Sequence, residues 1–309
     1  MENNGVLLLD KGFGLTSFEA VSQVRSILKT KKAGHTGTLD PQATGLLIIM
    51  LNKATKLSGL FTEQDKTYHA KIKLGESRAS YDRFSRVTGR KQVRVDNKDV
   101  QQALNHLEGE IQQIIPLYSA VHFEGKRMYQ YAREGREVPV RYGKVNIYSI
   151  ELLACELPLI EFNVTCSSGT YIRSLAHQLG EDLGCGAHLY SLRRTKVGDF
   201  ELENALTIGQ VKSLKQISKI QENILPLNQV LNIPSLIINN TSAESVRNGR
   251  EITLNDIADL KKDFTSGELI SIQDGYGDLL AFGTACVSSQ DIRNRLDNSS
   301  KVFDYKRVI

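Results

Sequence analysis

The chain has 309 residues, 40% apolar and 24% charged, a composition that fits one sizeable folded domain with a smaller one beside it. No apolar run approaches the length of a membrane-spanning helix, which argues against a bilayer protein, and a net charge of +4 allows a polyanionic partner without demanding one. The cysteines Cys155, Cys166, Cys185 and Cys286 are scattered without CxxC spacing, and the N-terminus lacks an export pattern. Free thiols in a reducing cytoplasm and no metal site are expected.

In chain order, Gly5 to Asp10 (GVLLLD) is expected to be a short buried strand. Thr16 and Glu19 form a T-x-x-E capping box, and Phe18, Val21, Val24 and Leu28 then recur at helical spacing. That helix runs into Lys29, Lys31 and Lys32, where cations suit the helix dipole. Ala33 to Ala43 reads as a loop and Thr44 to Leu51 as a buried strand. Lys66 to Leu74 alternates, with Tyr68, Ala70, Ile72 and Leu74 on one face.

Asp99 to Leu107 is expected to be a short helix. Pro116 to Tyr142 mixes aromatic and basic residues, and Val145 to Leu153 is strand-like. Ile160, Phe162, Val164 and Cys166 alternate as a further strand. Thr170 is placed to cap the helix whose stripe is Ile172, Leu175, Ala176, Leu179 and Leu183; Gly184 and Gly186 end it. His188 to Val197 is the next strand and Ile208 to Leu231 a helical connector. The tail holds a strand (Leu236 to Ile238), a helix (Thr241 to Asn248) and a hairpin turning at Asp274 to Asp278, the texture of a small β-rich module.

The segment Gly34-His35-Thr36-Gly37-Thr38-Leu39-Asp40-Pro41 carries the most chemistry. Its glycines permit tight turns, and Asp40, presented between a basic helix end and a buried strand, is suited to act as a base or nucleophile. An Asp-Pro turn with local hydrogen bonds satisfies the same residues. Arg173 falls in the first turn of its helix, where the dipole disfavours a cation, so it needs an anionic partner.

GHTGTLDPQATGLL, at 34–47, resembles the catalytic loop of the bacterial tRNA pseudouridine-55 synthases, the TruB family. DKTY at 65–68, SSGTYIRSLAHQLGEDLGCGAHLYSLRR at 167–194 and the thumb-like IPLYSAVHFEGKRMYQYAREG at 115–135 resemble other family motifs in the same order. The resemblance implies a mixed α/β (α+β) pseudouridine synthase fold with a largely antiparallel sheet over residues 1–232, its RNA-binding thumb near 115–144. Residues 233–309 resemble a PUA-like RNA-binding domain, through VRNGREI, ISIQDGYGDLLAFG and Val302-Phe303.

By the same resemblance Asp40 is the catalytic carboxylate, Arg173 its partner and Tyr68 the ring that stacks on the target base. His35 helps extrude that base, and Tyr171 and Leu192 line the uridine pocket. Isomerising uridine involves no redox or phosphoryl step, so neither cofactor nor metal is expected. Lys66, Lys126, Arg127, Tyr129 and Arg133, with the further thumb residues Tyr131, Arg136 and Tyr142, suit RNA, since cations meet phosphates and aromatics stack on exposed bases. Arg193, Arg194 and Lys196 extend this basic surface. The implied partner is tRNA, gripped at the T-arm and acceptor stem by a single subunit.

After Leu74-Gly75 the family pattern Thr-Asp-Thr-x-Asp-x-x-Gly gives way to a segment where Arg78, Ala79 and Ser85 replace Thr, Asp and Gly while Asp82 stays. The segment is more basic than the pattern and is expected to meet phosphate. Two readings compete with the main one: a synthase acting on another RNA, and a non-catalytic protein that helps tRNA fold.

Overall fold

The computed structural model describes residues 3–136, 138–294 and 301–309; Met1, Glu2, Glu137 and residues 295–300 lie outside it. Strand β1 (Gly5–Lys11) leads to helix α1 (Ser17–Leu28), and β2 (Ala33–Thr36) and β3 (Thr44–Leu51) flank the Asp40 loop. After a 3-10 turn and α2 (Ser58–Thr62) come β4 (Lys66–Leu74), a ribbon of β5 (Glu76–Arg78) and β6 (Val87–Arg90), α3 (Asn97–His106) and β7 (Gly109–Ile114). The thumb-like insertion holds β8 (His122–Phe123), β9 (Lys126–Arg127) and α4 (Met128–Arg133). Then follow β10 (Tyr142–Glu156), β11 (Leu159–Cys166), α5 (Ile172–Asp182), β12 (Ala187–Val197), β13 (Phe200–Glu201), α6 (Ile208–Gln216) and α7 (Leu227–Val230). The tail contains β14 (Ser235–Ile238), α8 (Asn240–Arg247), β15 (Ile257–Lys261), β16 (Leu269–Gln273), β17 (Leu279–Ala285), α9 (Ser289–Arg293) and β18 (Phe303–Val308).

Nine strands make one sheet in the order β1-β3-β12-β4-β11-β10-β7, with β2 beside β3 and β13 beside β12. All its pairings are antiparallel except β3 with β12, where Arg193 faces Thr44 and Arg194 faces Gly45. The expected mixed, largely antiparallel sheet is therefore present. Tyr68, Ala70, Ile72 and Leu74 of β4 share one buried face with Ile160, Phe162, Val164 and Cys166 of β11, beneath α1, α3 and α5. Each large apolar side chain buried there contributes roughly 1.5–3 kcal/mol.

The runs GVLLLD and GLLIIML are apolar on both faces because both faces of β1 and β3 are covered. Leu7, Leu9, Leu47 and Ile49 meet the helical layer. Val6, Leu8, Leu46, Ile48 and Met50 meet Phe61, Val230, Leu279, Phe282 and Ile309, the last three from the tail. The outer edge of β1 is closed by backbone hydrogen bonds to Leu206 and Leu225 of the connector, which leaves no bare edge there. The tail forms a second sheet, β15-β14-β16-β17-β18, over its own core of Leu236, Ile272, Leu280 and Phe303.

Some local expectations need correction. The Thr16–Glu19 capping box forms, yet the inward face of α1 is Ser17, Ala20, Val21, Val24 and Leu28, while Phe18 projects into solvent. Ala33 to Thr36 is strand, not loop: β12 pairs with β3 only at its start, so β2 can pair with residues 48–51 of β3. Thr170 does not cap α5. Its hydroxyl donates to the Ser167 carbonyl, and Tyr171 is the N-cap, without a side-chain cap. The connector is broken after α6, where Ser218 takes a positive φ of 59°. Strands β15 and β18 had no counterpart among the expected elements.

Candidate active site

The Asp40 loop is held at alternate carbonyls from three directions. At Gly45 (φ +102°) β3 passes so close to β12 that a Cβ would meet the Arg194 carbonyl oxygen at 2.2 Å. This approach lays the buried Arg194 side chain under the loop, where Nε donates to Leu46 O (2.7 Å) and Nη2 to Gly37 O (3.1 Å). Ser17, the first residue of α1, grips Leu39 twice: Oγ donates to its carbonyl (3.1 Å) and accepts from its N–H (2.9 Å). The Pro41 carbonyl accepts from Gly14 N–H (2.8 Å) and faces Lys11 Nζ at 3.4 Å. Lys11 also donates to Leu15 O (2.7 Å); burial pulls its pKa down to about 8 despite the pull of the Asp40 carboxylate.

Asp40 is thus delivered to Arg173. Nε lies 2.8 Å from Oδ2 and Nη2 lies 3.4 Å from Oδ1. The Arg173 side chain is 6% exposed and its guanidinium is fully engaged: Nη2 donates to Tyr118 O (2.9 Å), Nη1 to Ser80 O (3.3 Å), and Nη1 stands 3.9 Å from Asp82 Oδ2. Two carboxylates and two carbonyls offset the unfavourable dipole at the start of α5, so the anionic partner expected for Arg173 is present.

A cavity of about 270 Å³ opens beside this pair, with Asp40, Tyr68, Tyr118, Tyr171, Leu192 and Arg194 in its walls. That is near the small end of ligand pockets, ~300–1,000 Å³, and suits one nucleoside. Tyr68 projects from the centre of the sheet, paired with Val164 on one side and Arg194 on the other. Burial raises its pKa while the hydrogen-bonded Arg194 opposes the rise, so Tyr68 is a neutral phenol at pH 7. Gln113, from β7, sets Tyr171 by accepting its backbone N–H at 2.7 Å. Among the described residues no group of His, Cys, Asp and Glu stands ready to hold a metal ion.

Lys66, expected at an RNA surface, is instead buried in the cavity wall, donating to Thr62 O (2.7 Å) and to Gln64 O. Burial, aided by repulsion from Arg194, lowers its pKa from 10.5 to about 8. Between those values the unfolded chain holds the proton that the folded chain has lost, so this group makes stability rise with pH. In urea titrations from pH 8 to 10, wild-type unfolding free energy should climb more steeply than that of Lys66→Met; parallel slopes would contradict the assignment.

His35 lies on β2 and is not in the cavity wall. Its Nδ1 is buried without a hydrogen-bond partner, and burial, reinforced by Arg194, lowers its pKa, keeping the ring neutral at pH 7. In the insertion, Arg133 lies over the Tyr129 ring (5.5 Å) and lines the wider mouth, about 610 Å³, together with Asp40, Phe84 and Tyr118. Arg127 is exposed; Lys126 pairs with Glu134 (3.3 Å). Tyr131 is not a free stacking surface: it is buried and donates to Phe123 O (3.2 Å).

Arg194 is likewise no surface cation, being buried beneath the loop, while Arg193 is bound to Asp10 (2.8 Å) and Lys196 to Glu201 (3.1 Å). Arg78 does not reach out to phosphate: it pairs with Glu76 (2.5 Å) and donates to the carbonyls of Arg83 (2.8 Å) and Ser85 (2.7 Å), closing its own loop. Sequence reasoning missed Lys11, Ser17, Tyr118 and the supporting role of Arg194. For Ser17 the available signal was its hydroxyl at the helix start just after the Thr16 cap; the two buried cations carried no local signal.

Residues 25–172 match the TruB family pseudouridylate synthase N-terminal domain, 173–232 the tRNA pseudouridylate synthase B C-terminal domain and 234–307 the PUA domain. The tRNA pseudouridine synthase B of Bacillus subtilis is 41% identical over 286 residues, covering 90% of this chain and 92% of that protein. That of Solibacter usitatus is 42% identical over 250 residues, covering 80% and 85%. Among solved structures, a chain of the archaeal box H/ACA sRNP Nop10–Cbf5 complex superposes with a TM-score of 0.74 at 27% identity, over 99% of this chain and 86% of that one. A chain of an H/ACA RNP bound to a substrate RNA containing 2′-deoxyuridine gives 0.75 at 28%, over 99% and 85%. Fold and matched domains together define a pseudouridine synthase carrying a PUA domain. The chain belongs to the TruB family.

Proposed function

We propose that this chain converts the T-arm uridine of tRNA, position 55, to pseudouridine, with Asp40 as the catalytic carboxylate. The observation that carries this reading is a carboxylate fixed by a buried arginine at the wall of a nucleoside-sized cavity containing Tyr68, Tyr171 and Leu192. The reaction breaks the C1′–N1 bond, turns the uracil and forms C1′–C5. The C5 proton is released and N1 gains one, so no other reactant is consumed. A uridine in folded RNA must leave its stack to enter such a cavity. Tyr68 offers a ring face for the extruded base, Leu192 and Tyr171 exclude water, and His35, held on β2 outside the cavity wall, assists extrusion.

Arg173 keeps Asp40 anionic and aimed while the base is detached. Arg127, Tyr129 and Arg133 of the thumb meet the RNA loop, with Lys126 adding charge. Residues 1–232 form the catalytic unit, and the PUA-like unit, 233–309, grips the acceptor stem. One subunit acting in the cytoplasm contains all these parts, and the chemistry requires no cofactor. The test is tritium release from C5-labelled uridine in a T-arm stem-loop transcript. Release from that transcript but not from ribosomal RNA fragments is expected; the opposite preference would replace tRNA with another RNA.

A further inference from the structure

The loop at 76–85, where the sequence leaves the family pattern, builds a surface that the catalytic reading does not use. The Arg83 guanidinium lies over the rings of Phe84 (4.8 Å), Tyr190 (4.7 Å) and Phe13 (6.0 Å), and Phe13 and Phe84 stand 5.8 Å apart. Phe13 is 56%, Phe84 49% and Tyr190 36% exposed, so three solvent-facing rings gather around a half-buried cation rather than in a core. Arg83 has no carboxylate within ion-pair distance among the described residues, and its Nε is buried without a hydrogen-bond partner. The guanidinium is thus held flat by rings, not neutralised by an acid.

The cluster is fixed in place. Arg83 N–H donates to Leu189 O (3.0 Å), Leu189 N–H to Tyr81 O (2.8 Å), and Arg78 to Arg83 O (2.8 Å). Phe84 N–H donates to Asp82 Oδ1 (2.9 Å), and the other oxygen of that carboxylate faces Arg173. The cluster is also continuous with the catalytic cleft: Phe84 and Tyr190 line a recess shared with Asp40, Arg173 and Leu192, and Phe84 lines the wider mouth opposite Arg133.

We propose that Phe13, Arg83, Phe84 and Tyr190 form a stacking platform for an unpaired RNA base adjacent in the strand to the isomerised uridine. A flipped nucleotide in the cavity brings its chain neighbours to this rim. Every base offers a π-face to rings or to a guanidinium plane, and the net positive charge of the cluster suits the phosphates that flank it. The proposal rests on the RNA-modifying reading above and adds a second contact to it.

The test uses the full chain and T-arm stem-loops carrying 2-aminopurine, one at a time, at each unpaired position beside the target uridine. The wild type should quench one position selectively. Phe84→Leu, which keeps apolar bulk, should lose that quenching and weaken RNA binding about tenfold, and Phe84→Trp should restore both. Phe13→Leu and Tyr190→Leu carry the same expectation if Phe84→Leu fails to fold by circular dichroism. No selective quenching by the wild type, or quenching that survives in the leucine variants, overturns the platform. Tritium release from a C5-tritiated stem-loop without 2-aminopurine separates the two claims: its absence sinks the functional reading, while release with unaltered quenching sinks the platform alone.

Discussion

Asp40→Asn should lower C5 tritium release by more than about a thousandfold, the scale on which a principal catalytic group is lost. The substitution keeps the shape of the side chain and one oxygen to accept from Arg173, so the loop, tied at Gly37, Leu39 and Pro41, stays in place. What disappears is the charge and the nucleophilic or basic oxygen. Asp40→Ala should behave alike in catalysis. Stem-loop binding by Asp40→Asn, measured by filter retention, should persist, because the rings and cations of the cleft remain. Equal tritium release by wild type and both variants would remove Asp40 from the reaction, and no release by any of the three would revive the tRNA-folding alternative.

Arg173→Ala carries the second large effect, on stability and activity together. It deletes the partner of two carboxylates and the donor to two backbone carbonyls. Breaking a buried ion pair from one side costs ~3–5 kcal/mol, and the low end applies because Asp40 itself is partly solvated. Unfolding in urea should show that loss, and tritium release should fall at least about a hundredfold. Arg173→Lys should recover more stability than activity, since an ammonium restores charge but not the fork that fixes both oxygens of Asp40. Full activity in Arg173→Ala at a temperature where it is folded would reduce the arginine to a structural strut.

The parts of the fold that were legible in the sequence obey local rules. The strict alternation of β4 and β11, the Thr16–Glu19 box and the two-sided apolar runs of β1 and β3 each follow from one repeating geometry. The grouping of Asp40, Tyr68 and Arg173 was legible for a different reason: the motifs that carry them stand in a recognisable order, and the dipole argument required an anion near Arg173. Arg194 and Lys11 were not legible as buried groups, because nothing local marks a cation that will spend its donors on loop carbonyls. Nor was the burial of Tyr131, which depends on Phe123 folding back over it. Phe18 misled because its spacing from Val21 fits a helix stripe, while the buried stripe runs through Ser17, Ala20, Val21, Val24 and Leu28 and leaves Phe18 beside it.

The second face of β1 and β3 has a consequence for how the molecule lives and dies. Val6, Leu8, Ile48 and Met50 are covered partly by Leu279, Phe282 and Ile309, so the strands that deliver Asp40 lean on the tail. Removing the tail would strip one wall from the catalytic sheet and bare a sticky apolar plaque, rather than simply forfeiting a grip on RNA. A single unfolding transition for the two units is the expected result in calorimetry. The strands that flank the Asp40 loop would therefore gain their second wall only once Leu279, Phe282 and Ile309 have packed against them.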